Sequence, residues 1–334
     1  MIKSFHGGMS VKYDFSANIN PLGLPLSCKE ALVKNISEIE KYPDVNCTKL
    51  KEAYCKKFGI STDNVVFGNG AADIIYRLVQ TVSPKRALIA VPTFTEYERA
   101  LRSFGCSVEY VHYNEENGFT LDISILEKIT EYDILFICRP NNPAGNIIEK
   151  SFINKIIEKC EHEKTLIVVD ECFMDFAENS EKYALKPISP NLIILRAFTK
   201  IYAMPGIRLG LMVCSDKELC GQCWSVSVPA QTAGRAALSD DEYISRTVKY
   251  VSCERERLEE GLKNLGFKVY SSAVNFILFR SEKPLFDILL EKDIAVRCCS
   301  DFEGLDETYF RIAVRTHEEN TILIKELERI VKHG

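Results

Sequence analysis

Seven short, almost wholly apolar runs rich in β-branched residues punctuate the first two thirds of the chain, at 65–67, 87–91, 108–111, 134–138, 166–169, 192–195 and 209–213. Runs of that length without polar alternation read as strands buried on both faces, the habit of parallel sheets. Between them the apolar positions switch to helical spacing. One such stretch covers 95–104 and is closed by Gly105 in the position of a C-cap; another covers 149–161. Strand and helix alternating in this way predict an α/β sheet covered on both faces. A long charged helical pattern then runs from 241 to 265, without an internal Gly or Pro until Gly261, and separate strand candidates follow at 276–279 and 309–314. That change of rhythm predicts a second, smaller α+β domain at the C-terminal end. No internal repeat or low-complexity tract is found.

Composition narrows the classes of function. With 334 residues, 46% hydrophobic and 27% charged, the chain has the balance of a soluble globular protein larger than one average domain. The net charge is −5, and Lys and Arg are scattered among Asp and Glu. No basic stripe is present to track a phosphate backbone, so nucleic acid is not an expected partner. The first ten residues lack the apolar core of a signal peptide, and no apolar run approaches the roughly 20 residues needed to span a bilayer, so a cytoplasmic protein without a membrane partner is expected. Thirteen cysteines, an odd number at irregular spacing, predict free thiols. Cys220-Gly221-Gln222-Cys223 is the one CxxC, and no second pair follows at zinc-site spacing, so no metal is expected.

Four signals fall just beyond predicted strand ends, where α/β folds gather their ligands. Gly68-Asn69-Gly70-Ala71-Ala72-Asp73 opens a helix, and small residues there let backbone N–H groups approach an anion at its positive end. The same glycines would serve any turn with positive φ. Asp170 ends an apolar strand, where a carboxylate wants a cationic partner or serves as a helix N-cap. Thr199-Lys200, followed by Arg208, places a lysine after a buried strand, where desolvation and neighbouring cations lower an amine pKa toward the range useful for imine formation. Arg139-Pro140-Asn141-Asn142-Pro143-Ala144-Gly145 is a turn by composition, whose Asn142 can donate to a ligand oxygen.

In chain order and approximate spacing these signals resemble the pyridoxal 5′-phosphate (PLP) aminotransferases of fold type I, over nearly the whole chain, and among them histidinol-phosphate aminotransferases and the threonine-phosphate decarboxylases of cobalamin biosynthesis. The resemblance implies the aspartate-aminotransferase fold, with an N-terminal arm over 1–35, a large PLP-binding domain over 36–238 and a small domain over 239–334. It makes Lys200 the Schiff-base lysine, Asp170 the partner of the pyridine nitrogen, Asn142 the donor to the phenolic oxygen and Phe94 the aromatic on the ring face. The phosphate falls to the amides of Ala71 and Ala72, to Thr199 and to Arg208. Tyr42 matches a tyrosine that relatives lend to the neighbouring subunit, which implies a homodimer. Two positions depart from the pattern: Ala197 stands where relatives carry a phosphate-binding hydroxyl, and Phe173 stands where many carry a tyrosine.

On the substrate side, His6 and Asn18 resemble residues that reach a substrate phosphate in the decarboxylases. Arg297 matches a phosphate-binding arginine and Arg311 the arginine aimed at the carboxylate. Two guanidiniums, a His and an Asn suit a phosphate dianion better than a neutral side chain. The expected activity is decarboxylation of L-threonine O-3-phosphate, with serine phosphate as a smaller possibility and histidinol-phosphate-type transamination as the alternative. Residues 9–13, between Gly8 and Asp14, are fewer than the decarboxylases usually carry there.

Overall fold

A computed structural model describes residues 7–187, 189–215 and 222–333. Among them the strands are β1 (Tyr13–Asp14), β2 (Val65–Gly68), β3 (Arg86–Val91), β4 (Ser107–His112), β5 (Ile134–Cys138), β6 (Leu166–Asp170), β7 (Leu192–Ala197), β8 (Gly210–Val213), β9 (Lys268–Val269), β10 (Phe276–Arg280), β11 (Ile294–Ala295), β12 (Arg297–Cys298) and β13 (Tyr309–Ala313). A seven-stranded sheet has the order β2-β8-β7-β6-β5-β3-β4. Strands β7 through β4 pair in parallel, and β8 is antiparallel to both neighbours, so β2 again runs in the direction of β7.

Each of the seven apolar runs at 65–213 is a strand of this sheet. All five residues of β5 and all six of β7 are buried, because helices cover both faces. Alternate residues feed two separate cores: Leu135, Ile137, Ile167 and Val169 enter one, and Ile134, Phe136, Cys138 and Val168 the other. Helix Lys150–Glu163 packs Ile153, Ile156, Ile157 and Cys160 into the first core, and helix Ala71–Val82 packs Ile74, Ile75, Leu78 and Val79 into the second. Both sets keep the i, i+3, i+4, i+7 or equivalent spacing of a single helix face.

The C-terminal region carries an antiparallel sheet of order β12-β13-β10-β9, flanked by helices Asp241–Asn264 and His317–His333. Gly261 lies inside the first of these helices and does not end it. A Cβ there would come within 2.9 Å of Ile324 Cδ1, so the glycine marks a close crossing of the two helices. Near the N-terminal end, β1 pairs in parallel with β11. The Ala273 N–H donates to the Gly145 carbonyl at 2.9 Å, so the C-terminal region meets the turn that follows β5. Twelve cysteines among the described residues are free, and no helix among them is long and apolar enough to cross a membrane.

Candidate active site

Strand direction decides where the chemistry collects. The C-terminal ends of β2, β3, β5, β6 and β7 and the N-terminal end of β8 lie at one edge of the large sheet. Across that edge, in strand order, come the Gly68–Gly70 turn, Arg208, Thr199 with Lys200, Asp170, Asn142 and Phe94. Neighbouring strands are about 4.8 Å apart, so a flat ligand of modest size touches several of them at once.

At one end of the row is an anion cradle. Gly70 caps helix Ala71–Val82 with φ of +86°, and a Cβ on it would come within 2.8 Å of Arg208 Nη2. A Cβ on Gly210 would sit 2.5 Å from the Ala71 nitrogen. Both glycines are required by close approach, and they bring a guanidinium against the start of a helix whose first amides, on Ala71 and Ala72, have no intrahelical acceptor. Arg208 is itself held in the left-handed region (φ +58°), with its Nη1 donating to the Pro205 carbonyl at 3.1 Å. Thr199, next to Lys200 in sequence, is buried, and Ala197 ends β7 without a hydroxyl.

Lys200 lies in the single helical turn Phe198–Ile201. Burial pushes its ammonium below the ordinary lysine range; the Arg208 and Arg311 guanidiniums act in the same sense, while Cys172 and Asp170 oppose them. The turn is pinned from the N-terminal arm: the Asn20 N–H donates to the Lys200 carbonyl at 3.2 Å, and Asn20 Nδ2 donates at 2.7 Å both to the Ile201 carbonyl and to Thr247 Oγ1. On the next strand, Asp170 is buried and accepts two hydrogen bonds, from Tyr97 Oη at 2.5 Å and from the Cys172 N–H at 2.9 Å. Burial, reinforced by Asp170, pushes the Tyr97 hydroxyl well above its ordinary range and keeps it a donor. Sequence reasoning missed Tyr97. Its signal was three-residue spacing from Phe94 at a strand edge, and the two rings meet edge to face at 5.6 Å.

Glu171, next to Asp170, points the other way into the protein. It is fully buried between Arg139 Nη1 at 2.8 Å and Arg196 Nη2 at 2.6 Å. Removing one member of such a buried group would strand the others without compensation, which makes it the underside of the site, not part of its chemistry.

The substrate-side residues come from both ends of the chain. Arg297 and Arg311 are directly opposed on β12 and β13, so both side chains leave the same face of the small sheet, and both are buried. Arg311 donates to Asn142 Oδ1 through Nη1 and to the Ser16 carbonyl through Nη2 at 2.8 Å, and it lies over the Phe276 ring at 5.5 Å. Burial lowers its guanidinium to about 10. Phe173 packs edge-on to the same Phe276 ring at 5.0 Å. Asn18 is buried, and its Oδ1 has no partner among the described residues; the same holds for Arg311 Nε. Arg297 Nη2 contacts both oxygens of Asp301 at 2.7 Å, a partner the sequence did not announce. Arg297, Asp301, Ser16 and Gly7 line a cleft of about 280 Å³. His6 lies outside the described residues. Tyr42 is not brought to Lys200 by this chain: it is 83% exposed, and its ring lies tilted against Trp224 with centroids 5.1 Å apart.

These residues fit PLP. The Gly70 and Arg208 cradle is shaped for a phosphate, Lys200 is an amine shifted toward its neutral form, and Asp170 is a buried carboxylate with oxygens held by Tyr97 and Cys172. The chain matches the family model of aminotransferase class I and II over residues 10–327. It is 36% identical over 331 residues to the threonine-phosphate decarboxylase of Salmonella typhimurium, covering 95% of this chain and 91% of that one. To the histidinol-phosphate aminotransferase of Methanosphaera stadtmanae it is 32% identical over 334 residues, covering 95% and 90%. The crystal structure of the histidinol-phosphate aminotransferase from Clostridium acetobutylicum superimposes with a TM-score of 0.90 at 32% identity, over 96% of this chain and all of that one.

Proposed function

Since the chain belongs to the aminotransferase class I and II family and is therefore a PLP-dependent enzyme, we propose that it decarboxylates an O-phospho-amino acid in the cytoplasm, with L-threonine O-3-phosphate as first substrate and serine phosphate as the smaller homologue. The observation that carries this reading is the pair Arg297 and Arg311, buried and opposed on adjacent strands, close to an arm whose buried Asn18 Oδ1 lacks a partner among the described residues. Two guanidiniums on one face suit a phosphate with its three acceptor oxygens. The similarity to the Salmonella decarboxylase supports the same reading.

When bound, PLP supplies an electron sink for the pair left at the substrate Cα as a bond there breaks. The chain's own groups do the rest. The Ala71 and Ala72 amides, Thr199 and Arg208 would hold the cofactor phosphate, and Asp170 would keep a proton on the ring nitrogen. Asn142 would donate to the phenolic oxygen, and Phe94 would cover the ring face. Lys200 would carry the cofactor and deliver the proton that replaces the lost group at Cα. Bond choice would fall to the substrate-side arginines. If both took the substrate phosphate, no arginine would hold the α-carboxylate, which would be free to leave as CO₂. If Arg311 gripped the carboxylate instead, that group would be retained and the Cα proton would leave, which is the route to transamination.

That second route is the alternative, favoured by the similarity to histidinol-phosphate aminotransferases. One assay separates the two. The PLP-loaded protein incubated with L-threonine phosphate is expected to release CO₂ and an amino-alcohol phosphate in equal amounts. Release of a keto acid, with the pyridoxamine form accumulating and glutamate producing the same change, would sink the decarboxylase reading.

The reading includes a homodimer. Leu26, Val33, Ile36, Ile39 and Tyr42 are exposed within one short segment and Trp224 packs against Tyr42, exposed apolar side chains of the kind that mark a protein contact. A second copy seated there would carry Tyr42 toward the neighbouring active site.

A further inference from the structure

We propose that Asp301 is a built-in competitor for the phosphate clamp, filling it with negative charge when no substrate is bound and setting how firmly it grips when one is. This rests on the reading of Arg297 and Arg311 as that clamp. Two guanidiniums on neighbouring strands repel each other, and both are buried. Asp301 lies between this repulsion and the solvent: its carboxylate is 22% exposed, and both of its oxygens meet Arg297 Nη2 at 2.7 Å.

The contact could orient Arg297 or offset its charge, and the geometry favours the second. Only one guanidinium nitrogen is engaged, where an orienting carboxylate would take two in a fork. The plane of Arg297 is already fixed by burial and by the Phe302 ring, 5.2 Å from its Cζ. Asp287 lines the same cleft, and Asp14, bonded to Ser16, acts electrostatically on Arg311, so further acidic groups stand near the clamp. Arg297, Arg311 and Asp301 together sum to one positive charge, where the two arginines alone give two. A phosphate dianion still binds, and a product that keeps its phosphate can leave.

The test compares two amine-free ligands that differ only in the terminal group, 3-phosphonopropionate and succinate, titrated calorimetrically into the holoenzyme. Asp301→Asn removes the charge and keeps the shape. It is expected to tighten 3-phosphonopropionate by roughly three- to tenfold at low ionic strength, succinate by less, and to lower the melting temperature of the ligand-free protein. Asp301→Ser carries the same expectation should the first variant fold poorly. Weaker or unchanged phosphonate binding in the variant overturns the proposal, since an orienting residue would give the first and a bystander the second. If the wild-type holoenzyme binds succinate as tightly as 3-phosphonopropionate, the clamp reading and this one fail together. If it prefers the phosphonate and the variant does not differ, only this one fails.

Discussion

Lys200→Ala is expected to lower kcat by roughly 10²- to 10⁴-fold, the range associated with loss of a positioned proton carrier. The residue sits where a buried strand gives way to one helical turn, and that turn is pinned from the arm through Asn20. Burial and two guanidiniums favour its neutral amine, so more of it is competent near neutral pH than of an ordinary lysine. The sign follows directly: activity that needs the neutral amine rises with pH through a value below the usual lysine range. Lys200→Arg keeps the charge and removes the titratable amine, and it should not rescue. The structural readout is borohydride reduction followed by peptide mass mapping. Wild-type protein should retain the cofactor covalently on the Lys200 peptide, and the alanine variant should not, although the Gly70 and Arg208 cradle can still hold the phosphate. Turnover in the variant within about tenfold of wild type would remove the premise of the mechanism.

The second large effect belongs to Asp170→Asn. If Asp170 pairs with the protonated ring nitrogen as proposed, replacing it by a neutral amide breaks a desolvated ion pair, which costs about 3–5 kcal/mol. A loss of roughly a hundred- to several-thousand-fold in kcat follows, with a smaller change in cofactor affinity because the phosphate cradle is untouched. A cofactor analogue with a fixed positive charge on the ring nitrogen should restore part of the rate, which a merely misfolded variant would not show. Tyr97→Phe removes one of the two donors that hold the carboxylate, and it should lie between wild type and Asp170→Asn on the same scale. A kcat for Asp170→Asn close to wild type would mean that the ring nitrogen is served by another group.

The sheet was legible because of how it is buried. Runs such as 134–138 are apolar throughout since both faces of β5 are covered, and no amphipathic alternation blurs them. Direction made the site legible as well: once the strands run parallel, residues just past their ends share an edge, and Ala71, Arg208, Lys200, Asp170, Asn142 and Phe94 all lie there. What stayed hidden depends on tertiary contact. The two-residue strands β1, β9, β11 and β12 are too short to leave a periodicity. Tyr97 looked like one aromatic in an amphipathic helix until β6 placed Asp170 against it. Asp301 carries no local signal at all, because its meaning comes from Arg297, which in turn gains its meaning from Arg311 across the ladder. Arg139 read as part of a turn, and only burial beside Glu171 shows it to be a structural cation.

Trp224 is the only tryptophan in the chain, and it stands half exposed against Tyr42 in the apolar surface. The protein therefore contains one indole fluorophore, and it stands on the surface proposed above for the second copy. Its emission wavelength and its accessibility to a soluble quencher report on that surface alone, free of background from any other indole. Dilution of the protein can thus be followed optically at the proposed subunit contact, without a label, while the chemistry around Lys200 is assayed in the same cuvette.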